Sequence, residues 1–191
     1  MAMNLPRSLN TPDPEPRLSA WSRVVHFFKH LWMDADDSRR VVPPALAREW
    51  QQRMADSETR HAGEIRLCVE AALPLSYLWR LVRSGEVQPV VQQRARMMFS
   101  KLGVWDTERN TGVLIYVLLA EHAIELVADR GLRAIPAQAW QAITDDLAQA
   151  FREGQAQAGL KQALIRCEAL LISTGLASDE HNELADEPFL K

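Results

Sequence analysis

The side chains best suited to chemistry in this 191-residue chain are four hard-oxygen donors in two short segments. Asp106, Glu108 and Asn110 occupy every second position of DTERNTG, residues 106–112, and Asp129 lies in ADRGL, residues 128–132. Carboxylate and amide oxygens suit Ca²⁺ better than zinc or copper, which favour imidazole and thiolate. The same residues have an architectural reading. Asn110 and Gly112 shape a turn, Asp129 caps backbone N–H groups, and Gly131 supplies a positive φ. The spacing is not that of a twelve-residue EF-hand loop. Arg130 offers a cation to a phosphate on the same rim.

Other routes to catalysis are less well furnished. Phosphoester hydrolysis needs an activated nucleophile or a metal-bound hydroxide. Cys68 and Cys167 lie far apart within apolar patterns, with no arginine-bearing loop around either, and read as buried thiols of a reducing compartment, a single bridge between them being the alternative. Asp34 and Asp36 form a DxD that follows a helical pattern instead of an apolar strand, and read as a polar linker. There is no G-x-S-x-G elbow, and His26, His30, His61, His122 and His181 show no HExxH spacing. No catalytic residue is therefore assigned, and Ca²⁺ is the single cofactor the residues suggest.

A third set is apolar. Six tryptophans are many for this length, and three of them stand where a partner could be met. An amphipathic helix over residues 18–33 carries Leu18, Trp21, Val25, Phe28 and Trp32 on one stripe, with Ser22, Arg23, His26 and Lys29 elsewhere. That stripe is expected to pack on the domain or on its copy in a homo-oligomer. A helix lying in a membrane interface has these aromatics but more cations. Trp79, in LSYLWRLV, joins Trp21, Phe28 and Trp32 as a candidate anchor for a protein partner. A formal charge of −3 argues against nucleic acid. The N-terminal residues do not read as a secretory signal, and no apolar run reaches the roughly 18 residues that span a bilayer, so a cytoplasmic location is expected.

These residues need a scaffold, and the periodicities supply one. The Pro-rich residues 1–16 are expected as a disordered tail, and 17–42 as the amphipathic helix and a linker. A helix begins at Pro43-Pro44, with Leu46, Trp50 and Met54 four residues apart. In GEIRLCVE, Ile65, Leu67 and Val69 alternate with Glu64, Arg66, Cys68 and Glu70, the pattern of a strand with one buried face. A short helix over Leu75 to Val82 and a longer one after Pro89, stopped at Gly103, give the excursion that a parallel crossover needs. VLIYVLL, residues 113–119, is apolar on both faces, as in a central strand covered on each side. A turn near Ala120 and Glu121 returns an antiparallel strand to Asp129. Helices from Pro136 and around Leu160 to Gly175 close the domain at about residue 176, before an acidic surface tail over 177–191. The expected architecture is α/β, a three-layer αβα sandwich with a small mixed β-sheet plus the N-terminal amphipathic helix. With two parallel strands and a third folded back, residues 106–112 and 128–132 meet on one rim, and Glu64 lies toward it.

Four segments in this order resemble the TPM domain family: HAGEIRLCVE, RARMMFSKLGVWDTERNTGVLIYVLL, IELVADRGL and WQAITDDLAQAFREGQAQAGLKQAL. They cover most of residues 45 to 175, and the chain is most similar to the short bacterial members without a secretion signal or membrane helix. The resemblance implies a three-layer αβα fold. Its functional implications differ among members: calcium binding, weak acid phosphatase activity, chaperone-like assembly, and an association with LemA-type membrane proteins. A non-enzymatic binding or assembly module is the expectation that follows, with a weak metal-dependent phosphatase as the alternative.

Overall fold

The computed structural model describes residues 7–8, 17–33, 35–58, 63–175 and 187–191. Helices α1 (Ala20–Trp32), α2 (Ala35–Val41) and α3 (Pro44–Glu58) precede the first long strand. Most of the expected tail 1–16, with residues 177–186 and both His61 and His181, lies outside the described residues. Arg7–Ser8 is the exception and forms a two-residue strand, β1.

Three long strands make the sheet: β2 (Glu64–Glu70), β3 (Gly112–Leu118) and β4 (Ala123–Ala128). β2 and β3 are parallel, with Glu64 beside Gly112 and Glu70 beside Leu118. β4 folds back antiparallel on β3, pairing Val113 with Ala128. The turn between them is a single 3₁₀ turn, Leu119–Glu121, closed by His122 at φ 50°. Two short strands complete the order β1-β4-β3-β2-β5, in which β5 is Phe189–Leu190, parallel to β2. The sequence suggested neither edge. A two-residue strand carries no period-2 signal, and it forms because β2 and β4 offer unpaired backbone groups.

Between β2 and β3 run α4 (Leu75–Ser84) and α5 (Val87–Lys101), and after β4 come α6 (Ala137–Arg152) and α7 (Ala156–Ser173). Alternation along the strands divides the core in two. Ile65, Leu67, Val113, Ile115 and Leu126 meet Trp50 of α3, Trp140 and Leu147 of α6, and Leu164 of α7. On the other face Cys68, Leu114, Tyr116 and Val127 meet Leu78 and Leu81 of α4 and Val91, Met98 and Phe99 of α5. These are the helix, sheet and helix layers of an αβα sandwich.

Two expectations need correcting. The polar stretch read as a linker is helical in α2, where Ser38 is buried and its hydroxyl donates to the Lys191 carbonyl at 2.8 Å. More consequentially, β2 is covered on both faces, with Arg66 alone half-buried. Glu64, Cys68 and Glu70 are as buried as the aliphatic residues between them, because α4 and α5 cover the side that the alternation suggested was wet.

Candidate functional site

The rim comes together at the end of the sheet where β3 begins. The Asp129 N–H donates to the Gly112 carbonyl at 2.9 Å, and the Gly131 N–H to the Asn110 carbonyl at 2.8 Å. Arg130 Nε donates to Asn110 Oδ1 at 2.8 Å. Asn110 is the turn residue, at φ 57°, a left-handed conformation that asparagine tolerates better than most. Gly131 does not provide the positive φ expected of it. Its role is close approach, since a Cβ there would collide with the carbonyl oxygens of Arg109 and Asn110.

Of the four candidate metal ligands, the structure brings two into one neighbourhood, Asn110 and Asp129. Asp129 is buried; its Oδ1 accepts the Arg130 N–H at 2.6 Å, and its Oδ2 is buried with no hydrogen-bond partner. Burial pushes this carboxyl up, against the Arg130 N–H and the charges of Arg130 and Arg133. Asp106 and Glu108 are exposed on the approach to the turn. Among the described residues, no three His, Cys, Asp or Glu side chains group so as to hold a metal ion.

Two polar constellations escaped the sequence reading. Under α5, the Glu70 carboxylate accepts from Arg94 Nε at 2.6 Å and from Arg94 Nη2, and from the Tyr116 hydroxyl at 2.8 Å. All three residues are buried, and burial together with the Glu70 charge holds the Tyr116 phenol well above its ordinary range. Arg94 gave a signal that went unused. It stands three residues after Val91 and four before Met98, on the apolar side of its helix, where an arginine requires a buried carboxylate.

The second constellation docks α1. His26 Nδ1 and His30 Nε2 lie 2.8 and 2.7 Å from Glu121 Oε1 in the turn after β3. The Leu73 N–H donates to His30 Nδ1 at 3.0 Å. That bond fixes the tautomer: Nδ1 is the acceptor, so Nε2 carries the proton and donates to Glu121. A ring nitrogen used in this way is not a metal ligand. Burial disfavours the Glu121 charge, but hydrogen bonds from His30 and His26 outweigh it and hold the carboxyl below its ordinary value. The i, i+4 spacing of the two histidines was the available clue.

At the other end of α1, the Leu18 N–H donates to the Gly85 carbonyl at 2.7 Å, and Arg23 Nη1 donates to the Val82 carbonyl at 3.2 Å. The helix therefore runs antiparallel to α4, held by Arg23, His26, Phe27 and His30. Of the two packings expected for the aromatic stripe, on the domain or on its copy, the first does not hold for Trp21, Val25, Phe28 and Trp32. Trp21 is 75% exposed, Phe28 55% and Trp32 86%, and Trp79 on α4 is 66% exposed. Leu75, Trp79 and Val82 fall on one row of α4, at i, i+4 and i+7, and Val82 is the residue Arg23 reaches. Leu75 and Trp79 thus stand exposed on the helix against which α1 packs.

Neither thiol is activated. Both cysteines are free and buried; burial pushes Cys167 up to about 12 and Cys68 higher. A groove of about 290 Å³ between α6 and α7 is lined mainly by Ile143, Leu147, Ala158 and Ala163, with Asp146 already paired to Arg166. No helix among the described residues is long and apolar enough to cross a membrane.

No curated protein matches the chain. Among solved structures, it is similar to the NMR structure of the BA42 protein from the psychrophilic bacterium Bizionia argentinensis sp. nov.. The TM-score is 0.61 at 20% identity, over 76% of this chain and 92% of that one, which shows a shared fold. The family model described as TPM domain matches residues 36–170, spanning the three long strands, α2 to α6 and most of α7. On that match, the chain belongs to the TPM domain family.

Proposed function

We propose that this TPM domain is a non-enzymatic binding module that engages a membrane-associated partner through the outer face of α1 and the adjoining row of α4. One observation carries the reading. α1 meets the domain with its polar side, through Arg23, His26 and His30, and turns Trp21, Phe28 and Trp32 outward. Exposed large aromatics grouped on one surface mark interaction sites, whereas singly scattered ones do not. The polar clusters give no competing enzyme: Glu70, Arg94 and Tyr116 saturate one another, and His30 is committed at both nitrogens.

A photo-crosslinking residue in place of Phe28 tests this in the native host. It should trap a specific product, lipid or polypeptide, that is absent when the same residue replaces exposed Gln52 on α3. Equal labelling at both positions would remove the surface from consideration.

A second reading rests on the unpartnered Asp129 Oδ2, which gives the rim one oxygen free for a divalent cation such as Ca²⁺. It predicts amide shifts confined to residues 106–112 and 128–132 on Ca²⁺ titration. It also predicts weak hydrolysis of a phosphomonoester that needs the metal and is lost in Asp129→Asn. Shifts spread evenly over the acidic surface would defeat it.

A further inference from the structure

We infer that the α1–α4 face seats on anionic lipid headgroups, with its tryptophans in the membrane interface and its cations at the phosphates. This rests on the reading of that face as a docking surface and names what it docks on. From the sequence alone α1 has too few cations for such a role, with only Arg23 and Lys29. The fold changes that balance by laying α4 alongside. α4 contributes Leu75 and Trp79 to the apolar area, and Arg83 to its margin, continuing the Leu75–Trp79 row by another four residues, while Arg80 stacks on the Tyr77 ring. Lys29 lies on the opposite margin, one residue beyond Phe28.

Charge distinguishes the occupant. α1 and α4 contain four Lys or Arg residues, of which Arg23 is turned to the domain, and no Asp or Glu, in a chain whose overall formal charge is −3. Such a segregated field orients the molecule with this face toward a negative surface and the acidic remainder away from it. A second copy fits worse. An isologous contact would set these cationic margins against each other with no carboxylate on either helix to pair them. Tryptophan is also the side chain best suited to the headgroup level, where an apolar ring and a polar N–H are both satisfied. The geometry is that of a helix lying in the interface plane, with its polar side against the protein in place of water.

The test uses the full chain with vesicles of equal parts phosphatidylcholine and phosphatidylglycerol, and vesicles of phosphatidylcholine alone. The first should sediment the protein and blue-shift its tryptophan emission; the second should do neither. Arg83→Gln and Lys29→Gln should each weaken binding about fivefold, since a cation near an anionic surface contributes on that order. Trp21→Ser combined with Trp32→Ser should abolish it, with an unchanged circular dichroism spectrum showing that the fold is intact. No sedimentation with either vesicle overturns the inference, as does equal binding to both. A dimer dispersed by Trp32→Ser, with no vesicle binding, assigns the face to a second copy. A polypeptide trapped at Phe28 with no lipid product leaves the docking surface standing and overturns the lipid.

Discussion

Helices α1 and α6 are both amphipathic, yet they meet the domain with opposite faces. α6 buries Trp140, Ile143 and Leu147 against the sheet and leaves Gln149, Asp145 and Asp146 in water. α1 does the reverse, giving the domain Arg23, His26 and His30 and giving solvent Trp21, Val24, Val25, Phe28, Leu31 and Trp32. Periodicity establishes that a helix has two faces, but not which one the domain receives. The polar face of α1 is received because each of its buried polar groups finds a partner: Glu121 and the Leu73 N–H for His30, and backbone carbonyls for Arg23. The same apolar residue types consequently do different work, holding α6 in place and leaving α1 a surface to offer.

The contrast is sharpest in stability. Trp140→Ala empties a fully buried site and should cost about 3–5 kcal/mol in the free energy of unfolding measured by denaturant titration. A cost near zero would mean that α6 does not need its apolar face. Glu70→Leu asks the same of a polar contact in the interior. It strands the buried Arg94 guanidinium, and a loss of about 3–5 kcal/mol is expected, with partial recovery in the double variant that also carries Arg94→Met.

His30→Ala should cost less, about 1–3 kcal/mol, by leaving the Leu73 N–H and one Glu121 bond unmade. Its Glu121 partner adds a pH signature. Folding lowers the Glu121 pKa, so this carboxyl contributes stability that is present above the ordinary glutamate range and is lost as pH falls through the folded value. The advantage of the natural protein over Glu121→Gln should therefore shrink on acidification. An advantage that grows as pH falls would contradict the assigned bonds. The smallest effect belongs to Trp32→Ser, expected within about 0.5 kcal/mol because the ring is almost wholly in solvent. A loss comparable with that of Trp140→Ala would mean that the outer face of α1 is covered in the folded molecule, and the comparison would fail.

The long elements were legible in the sequence because their signals are local. Leu46, Trp50 and Met54 four residues apart gave α3, and the run VLIYVLL gave β3 and, from its lack of a polar face, its central place in the sheet. The parallel pairing of β2 with β3 followed from the length of chain between them, and it carried with it the meeting of Asn110 with Asp129 and Arg130. The edge strands Arg7–Ser8 and Phe189–Leu190 were not legible, since they exist only by borrowing hydrogen bonds from strands distant in sequence.

The polar residues divide in the same way. By itself the sequence determined where the long helices and strands run, how the three long strands pair, and that one rim would gather the two turn segments, because backbone periodicity and connection length are properties of the chain alone. Only the tertiary structure decided that Glu70 is buried with Arg94, that His26 and His30 anchor α1 on Glu121, and that the tryptophans of α1 and α4 are left exposed. A polar side chain is indifferent to burial until a complementary group is brought within hydrogen-bond reach, and for these residues the complement lies 24, 95 and 91 positions away in the chain.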